Sequence, residues 1–127
     1  MTVVLSWIVI VISAVMTLFQ LLLAFGKPWG NLAWGGKHKK LPTSLRIGSF
    51  ISAIIFILAI IVVLEKSKIF ILINSDFLIN VLLWIFTLIF GLSVIGNLTS
   101  KSKVEKKVMT PIAIILFISF LFLGISE

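Results

Sequence analysis

Few side chains in this sequence have types and positions suited to chemistry. The chain of 127 residues contains one His, four acidic residues and no Cys. The single His, His38, has no Cys or acidic residue near it in the sequence, whereas a zinc site needs three or four ligands. Phosphate-binding glycine motifs and a nucleophile elbow are also missing. We therefore predict no catalytic, cofactor-binding or metal-binding residues, and a protein that is not an enzyme.

Neutral polar residues within apolar segments form the second group of candidates. Ser13, Thr17 and Gln20 follow the i, i+4, i+7 spacing that places side chains on one helical face, and Ser6 extends this polar stripe. Two interpretations remain open. The stripe makes hydrogen bonds between helices, each worth about 0.6 kcal/mol, or it lines a cavity. For a cavity, Gln20 and Asn80 are the best donors, although the topology predicted below places them at opposite ends of the protein.

The segments that carry these residues are apolar enough to require lipid around them. Hydrophobic residues make up 61% of the chain and the mean hydropathy is +1.30, which is more than one core of this size can bury. Four segments approach the length of about 20 residues that crosses a bilayer: about 3–25, 47–64, 77–98 and 108–125. Because lipid offers no partner to unpaired backbone groups, all four are expected to be helices. The sequence thus predicts a single transmembrane domain over residues 1–127, an all-α up-and-down bundle of four transmembrane helices.

The connections between these segments differ in charge. Residues 26–46 contain five Lys and Arg and residues 99–107 contain four, whereas the middle connection contains only Lys66 and Lys68. The positive-inside bias places the two basic connections in the cytoplasm and both termini outside it. Basic residues follow the first apolar segment instead of preceding it, which favours a retained helix over a cleaved signal peptide. Because no soluble basic domain is present, we predict no nucleic-acid partner.

The first connection, FGKPWGNLAWGGKHKKLP at residues 25–42, has the most distinctive composition. Gly26 should help to end the first helix, and Trp29 and Trp34 suit the headgroup layer. Thr43 or Ser44 is the expected N-cap of the second helix. Two interpretations of the connection remain open: an interfacial turn, or a loop that folds back to line a binding site.

Two motifs in the basic connections resemble each other and a known group of proteins. Gly30-Asn31-Leu32 recurs as Gly96-Asn97-Leu98, and Thr and Pro follow each copy, as a parallel duplication would produce. The larger motifs are Phe19-Gln20, Gly26-Lys27-Pro28-Trp29-Gly30, Ala33-Trp34-Gly35-Gly36, Leu41-Pro42 and Leu45-Arg46, and then Asn97 to Ser102, Glu105-Lys106 and Met109-Thr110-Pro111. Together they resemble an uncharacterised family of small four-span bacterial integral membrane proteins. The resemblance implies a multi-pass protein of the bacterial cytoplasmic membrane and implies no activity.

The favoured function is therefore binding without catalysis. We predict that the first cytoplasmic loop and neighbouring helices bind a partner protein, a lipid or an apolar ligand through Gln20, Trp29, Asn31, Trp34, Arg46 and Asn97. The basic side chains either contact anionic lipid headgroups or only set the topology: Lys37, Lys39, Lys40, Lys101, Lys103, Lys106 and Lys107. A homo-oligomer or another membrane protein is the expected protein partner. The alternatives are a small oligomeric transporter or channel with a neutral polar lining, and a lipid-modifying enzyme with His38 as its base.

Overall fold

The computed structural model describes residues 2–126, and this part of the chain is helical and has no strand. The four long helices are α1 (Thr2–Ala24), α2 (Thr43–Lys66), α3 (Asp76–Leu98) and α4 (Lys103–Ile125). Each is long and apolar enough to cross a membrane. The predicted all-α class with four membrane-spanning helices is thus confirmed, and these helices are those of a multi-pass membrane protein. Glu127, which we predicted to end the chain at the outer face, lies outside the described residues.

The helices associate as two hairpins. α1 packs along α2 and α3 packs along α4, whereas contacts of α1 with α4 and of α2 with α3 are much sparser. The first connection, residues 25–42, contains two short 3₁₀ turns, Gly30–Leu32 and Trp34–Gly36. It lies at the same end of the bundle as the connection between α3 and α4. We call this the basic end, because these two connections carry most of the Lys and Arg residues.

Two helices begin earlier than their hydropathy predicted. α2 begins at Thr43 instead of residue 47, and α4 begins at Lys103 instead of residue 108. Backbone hydrogen bonds form regardless of side-chain polarity, so a helix continues beyond its apolar part. Pro111, which marked a helix start in the sequence, lies inside α4. The prediction of Thr43 or Ser44 as an N-cap is wrong, because Pro42 takes that position without a side-chain hydrogen bond.

The larger of the two buried hydrophobic clusters lies in the half of the bundle away from the basic end. It joins Val9 of α1 to the end of α2, the start of α3 and the end of α4. Phe86 and Phe90 each stack on Phe120 with ring centroids 5.4 Å apart, within the range that aromatic pairs prefer. Apolar side chains thus fill the axis of the bundle in this half.

A buried carboxylate organises the connection between α2 and α3. Glu65, in the last turn of α2, accepts backbone N–H hydrogen bonds from Leu72 at 2.9 Å, Ile73 at 2.6 Å and Asn74 at 2.7 Å. These bonds satisfy amides that no helix or strand would otherwise pair. Glu65 is only 8% exposed, and nothing in its local sequence indicates this burial.

Candidate ligand-binding site

A cavity of about 370 Å³ lies between the two hairpins, in the half of the bundle nearer the basic end. All four helices contribute to its wall. The apolar side chains that line it are Met16, Phe19, Ile55, Phe56, Ile89, Phe90, Met109, Ile112 and Leu116. Because the hairpins touch each other sparsely, their packing leaves this space open.

The first connection forms the roof of the cavity. Leu32, Ala33, Trp34 and Gly35 line it from the basic end. Ala33 also joins Leu23 in a small buried cluster that fastens the loop to the end of α1. The loop therefore folds back over the helices, and its role in lining a binding site stays a prediction.

Trp34 anchors this roof to the start of α2. Its indole Nε1 donates a hydrogen bond to the Ser49 hydroxyl at 3.0 Å, and the ring lies against Gly48. Its backbone has φ of 53°, a left-handed conformation that is uncommon outside glycine. Such a conformation persists only when surrounding contacts hold it, and the bond to Ser49 is one such contact.

A set of hydrogen bonds that we call the latch joins the roof to the connection before α4. The Gly35 N–H donates to the Glu105 carboxylate at 3.1 Å, and the Ser102 hydroxyl donates to the Asn31 carbonyl at 2.6 Å. Glu105 also accepts a hydrogen bond from the Ser100 hydroxyl. The latch thus brings together the two basic connections that the sequence motifs singled out.

Glu105 is the functional candidate that sequence reasoning missed. The sequence places it in the basic connection 99–107, but it lies in the first turn of α4, lines the cavity and is only 7% exposed. The α4 N-terminus favours a negative charge there. The signal was available: Ser102 and Glu105 form the S-x-x-E pattern of a capping box. Ser102 accepts the Glu105 N–H at 3.2 Å, but the carboxylate turns to the roof instead of completing the box.

The predicted site residues divide into two groups. Gln20, Trp34 and Asn97 line the cavity, and the Asn97 amide donates to the Met109 carbonyl across α3 and α4 at 3.4 Å. Asn31 takes part in the latch through its backbone only.

Like Asn31, the remaining two predicted residues, Trp29 and Arg46, do not line the cavity. Trp29 is 41% exposed, and the Arg46 Nε donates to the Ala24 carbonyl at 2.7 Å, which satisfies the C-terminus of α1. Asn80 lines a separate hollow at the opposite end together with Glu65, so it shares no site with Gln20. This separation agrees with the predicted topology.

Among the described residues, the hydroxyl groups of the α1 polar stripe make none of the hydrogen bonds to other helices that one of the two interpretations required. The hydroxyls of Ser6 and Thr17 donate to carbonyls one turn earlier in α1, at 2.7 Å in both cases. The buried Ser13 hydroxyl and the Gln20 Oε1 atom have no hydrogen-bond partner among the described residues. Gln20 lines the cavity. The hydroxyls of Ser6 and Thr17 are satisfied within α1, whereas the Ser13 hydroxyl is not.

The seven predicted lipid-contacting lysines are all exposed at the basic end. Contact with lipid headgroups stays a prediction. Across residues 2–126, no group of three His, Asp or Glu side chains is close enough to hold a metal ion.

Comparison with known proteins identifies no relative of this chain. No protein family matches the chain, and neither the curated proteins nor the solved structures searched contain a significant match. The resemblance to small four-span bacterial proteins therefore stays a prediction.

Proposed function

We propose that this chain is a non-enzymatic membrane protein that binds a small, largely apolar ligand in the cavity between its hairpins. The observation that carries the proposal is the construction of this space. Its walls come from all four helices, its roof is a latched loop, and its apolar lining includes a few polar groups. Ligand sites in proteins typically have this character, with volumes of about 300–1,000 Å³.

A ligand from the bilayer is the best match for such a site. The sparse contact between hairpins favours entry from the side, between helices that face lipid. Lipids and other membrane-dissolved molecules would reach the cavity by this route without crossing the latched roof. The exposed apolar faces of the helices also leave room for a second copy of the chain or another membrane protein.

We also propose an orientation and a location. The basic end faces the cytoplasm of a bacterial cell, and the chain spans the cytoplasmic membrane with both termini outside. The uneven distribution of Lys and Arg supports this orientation. The exposed lysines then lie beside anionic headgroups, where each contributes about 1 kcal/mol to membrane attraction.

The core away from the basic end argues against a transport pathway through one chain. Phe90 is part of the cavity wall and stacks on Phe120, which also stacks on Phe86, so these rings close the bundle axis at this end of the cavity. The cavity therefore has the form of a pocket and does not continue as a pore. Binding is the function that this arrangement supports best.

Native mass spectrometry of the detergent-purified protein tests the proposal. We expect bound lipid on the intact chain, and we expect Ala113→Phe, which places a ring in the cavity wall, to remove it. Ala14→Phe is the matched control, because Ala14 is exposed on the outer face of α1. Wild-type protein without any bound apolar molecule, or equal retention by both variants, would contradict the proposal. The same spectra report the subunit count.

A further inference from the structure

We propose that the polar end of the ligand is a protonated primary amine, held by the carboxylate of Glu105. This inference rests on the proposed binding function and specifies the chemical class of the ligand. The bound molecule would place its apolar chain among the helix side chains and its ammonium group beneath the roof, where Glu105 lines the cavity.

The first argument is the charge of Glu105. The side chain is 7% exposed, and both of its hydrogen-bond donors, the Gly35 amide and the Ser100 hydroxyl, are neutral. Both donate to the same oxygen, Oε1, and within residues 2–126 no protein group donates to Oε2. A buried carboxylate is favourable when a cation pairs with it. A ligand ammonium supplies that cation and bonds to the free oxygen.

The second argument is the hydrogen-bonding character of the walls. Several polar hydrogens near the cavity are already used within the protein. Trp34 donates to Ser49, Asn97 donates to the Met109 carbonyl, and Ser93 donates to the carbonyl one turn earlier in α3. The Gln20 Oε1 atom accepts no hydrogen bond from the described residues, but it is fully buried and has no surface exposed to the cavity.

The Glu105 carboxylate on α4 is thus the charged acceptor that the cavity offers to a ligand. A ligand with a charged N–H donor satisfies this carboxylate, whereas an anionic ligand is repelled by it. A primary ammonium has a positive charge and three donors, so it suits a carboxylate better than a neutral hydroxyl with one donor.

The exposed lysines at the basic end do not oppose this assignment. They lie in water, where salt screens charges beyond about 8–10 Å, while Glu105 lies inside the bundle. A zwitterionic aminophospholipid satisfies both regions, with its ammonium toward Glu105 and its phosphate toward the lysines. A free alkylamine presents the same ammonium without the phosphate. The shared chemistry is a primary amine on an apolar chain.

The test measures binding of matched amphiphiles by native mass spectrometry of the full chain. The probes are dodecylamine, dodecanol and dodecyltrimethylammonium, which share one chain and differ in charge and N–H donors. A hydrogen bond to a charged group corresponds to at least about a tenfold preference for dodecylamine over dodecanol. Glu105→Gln keeps the shape and removes the charge, so we expect it to lose this preference while still binding dodecanol. Asp76→Asn, at the opposite end, is the control that keeps the preference.

Each outcome decides a separate claim. Equal binding of dodecylamine and dodecanol to the wild type, or an undiminished preference in Glu105→Gln, overturns the amine assignment and leaves the proposed function standing. Binding of none of the three probes, with no lipid retained, overturns the proposed function itself. If Glu105→Gln does not fold, the wild type still decides, because equal affinity for dodecyltrimethylammonium and dodecylamine excludes the N–H donors.

Binding measurements in nanodiscs distinguish a bilayer lipid from a free alkylamine as the source of the ammonium group. Retention of phosphatidylethanolamine over phosphatidylcholine with the same chains identifies a bilayer lipid, because the choline headgroup has no N–H. Retention of dodecylamine without that lipid preference identifies a free amine. Both results support the assignment of a primary amine.

Discussion

The Gly35 amide donates a hydrogen bond to the Glu105 carboxylate at 3.1 Å, although 70 positions separate these residues in the sequence. The bond joins the roof of the cavity to the first turn of α4. Because the two hairpins touch sparsely elsewhere, contacts of this kind hold the basic end together.

Glu105→Ala should release the roof from α4. The change leaves the Gly35 amide and the Ser100 hydroxyl without their acceptor, a loss of about 1–3 kcal/mol for buried groups. Hydrogen exchange measured by mass spectrometry should accelerate across residues 30–36. Lys106→Ala, an exposed neighbour in the same turn, should leave that exchange unchanged. Equal protection in both variants would show that the latch does not hold the loop.

Gly36→Ala should be more harmful than Gly35→Ala. Both glycines have positive φ, 71° and 80°, so each substitution carries backbone strain of about 1–2 kcal/mol. A Cβ at Gly36 would also collide with the Ser102 side chain, whereas a Cβ at Gly35 meets nothing within 4 Å. The thermal midpoints of the two variants in detergent measure the difference. Identical midpoints would mean that Ser102 does not press on the loop.

Trp34→Ala should weaken ligand binding more than Trp29→Ala. Trp34 lines the cavity and donates to Ser49, whereas Trp29 does not line it and is 41% exposed. We expect Lys39→Ala, an exposed control, to retain wild-type affinity. Titration with an apolar fluorescent probe measures all three. An equal loss in Trp29→Ala and Trp34→Ala would place the site outside the cavity.

Glu65→Ala should loosen the connection between α2 and α3 and leave the roof intact. Three amides, of Leu72, Ile73 and Asn74, lose their acceptor and should exchange faster. Exchange across residues 30–36, at the opposite end, serves as the internal control. Protection that persists at residues 72–74 would show that another group pairs these amides.

Single cysteines test the proposed orientation cleanly, because the sequence has none. Ser126→Cys should react with an impermeant maleimide in intact bacterial cells. Lys39→Cys should react only after the membrane is permeabilised. The reverse pattern would place the basic end outside and remove the basis for cytoplasmic headgroup contacts.

The sequence alone determined the class and the span count of this protein. Hydrophobic content and segment length predict four transmembrane helices, because the need to satisfy backbone groups in lipid leaves few other structures. Hydropathy and length are properties of each segment by itself, so they predict a membrane span without knowledge of how the segments pack. The sequence also predicted that Gln20 and Asn80 lie apart. Of the six site residues that it predicted, Gln20, Trp34 and Asn97 line the cavity, and Trp29, Asn31 and Arg46 do not.

Only the tertiary structure decided what surrounds the cavity. The sequence places Glu105 among exposed lysines, and nothing local shows that the loop around Gly35 folds over it. Trp29 and Trp34 are equal candidates in the sequence, yet of the two it is Trp34 that donates a hydrogen bond to Ser49. Burial and hydrogen-bond partners depend on residues that are distant in the chain, and such pairings form only when the hairpins pack. A carboxylate that reads as solvated in the sequence thereby becomes part of the cavity wall.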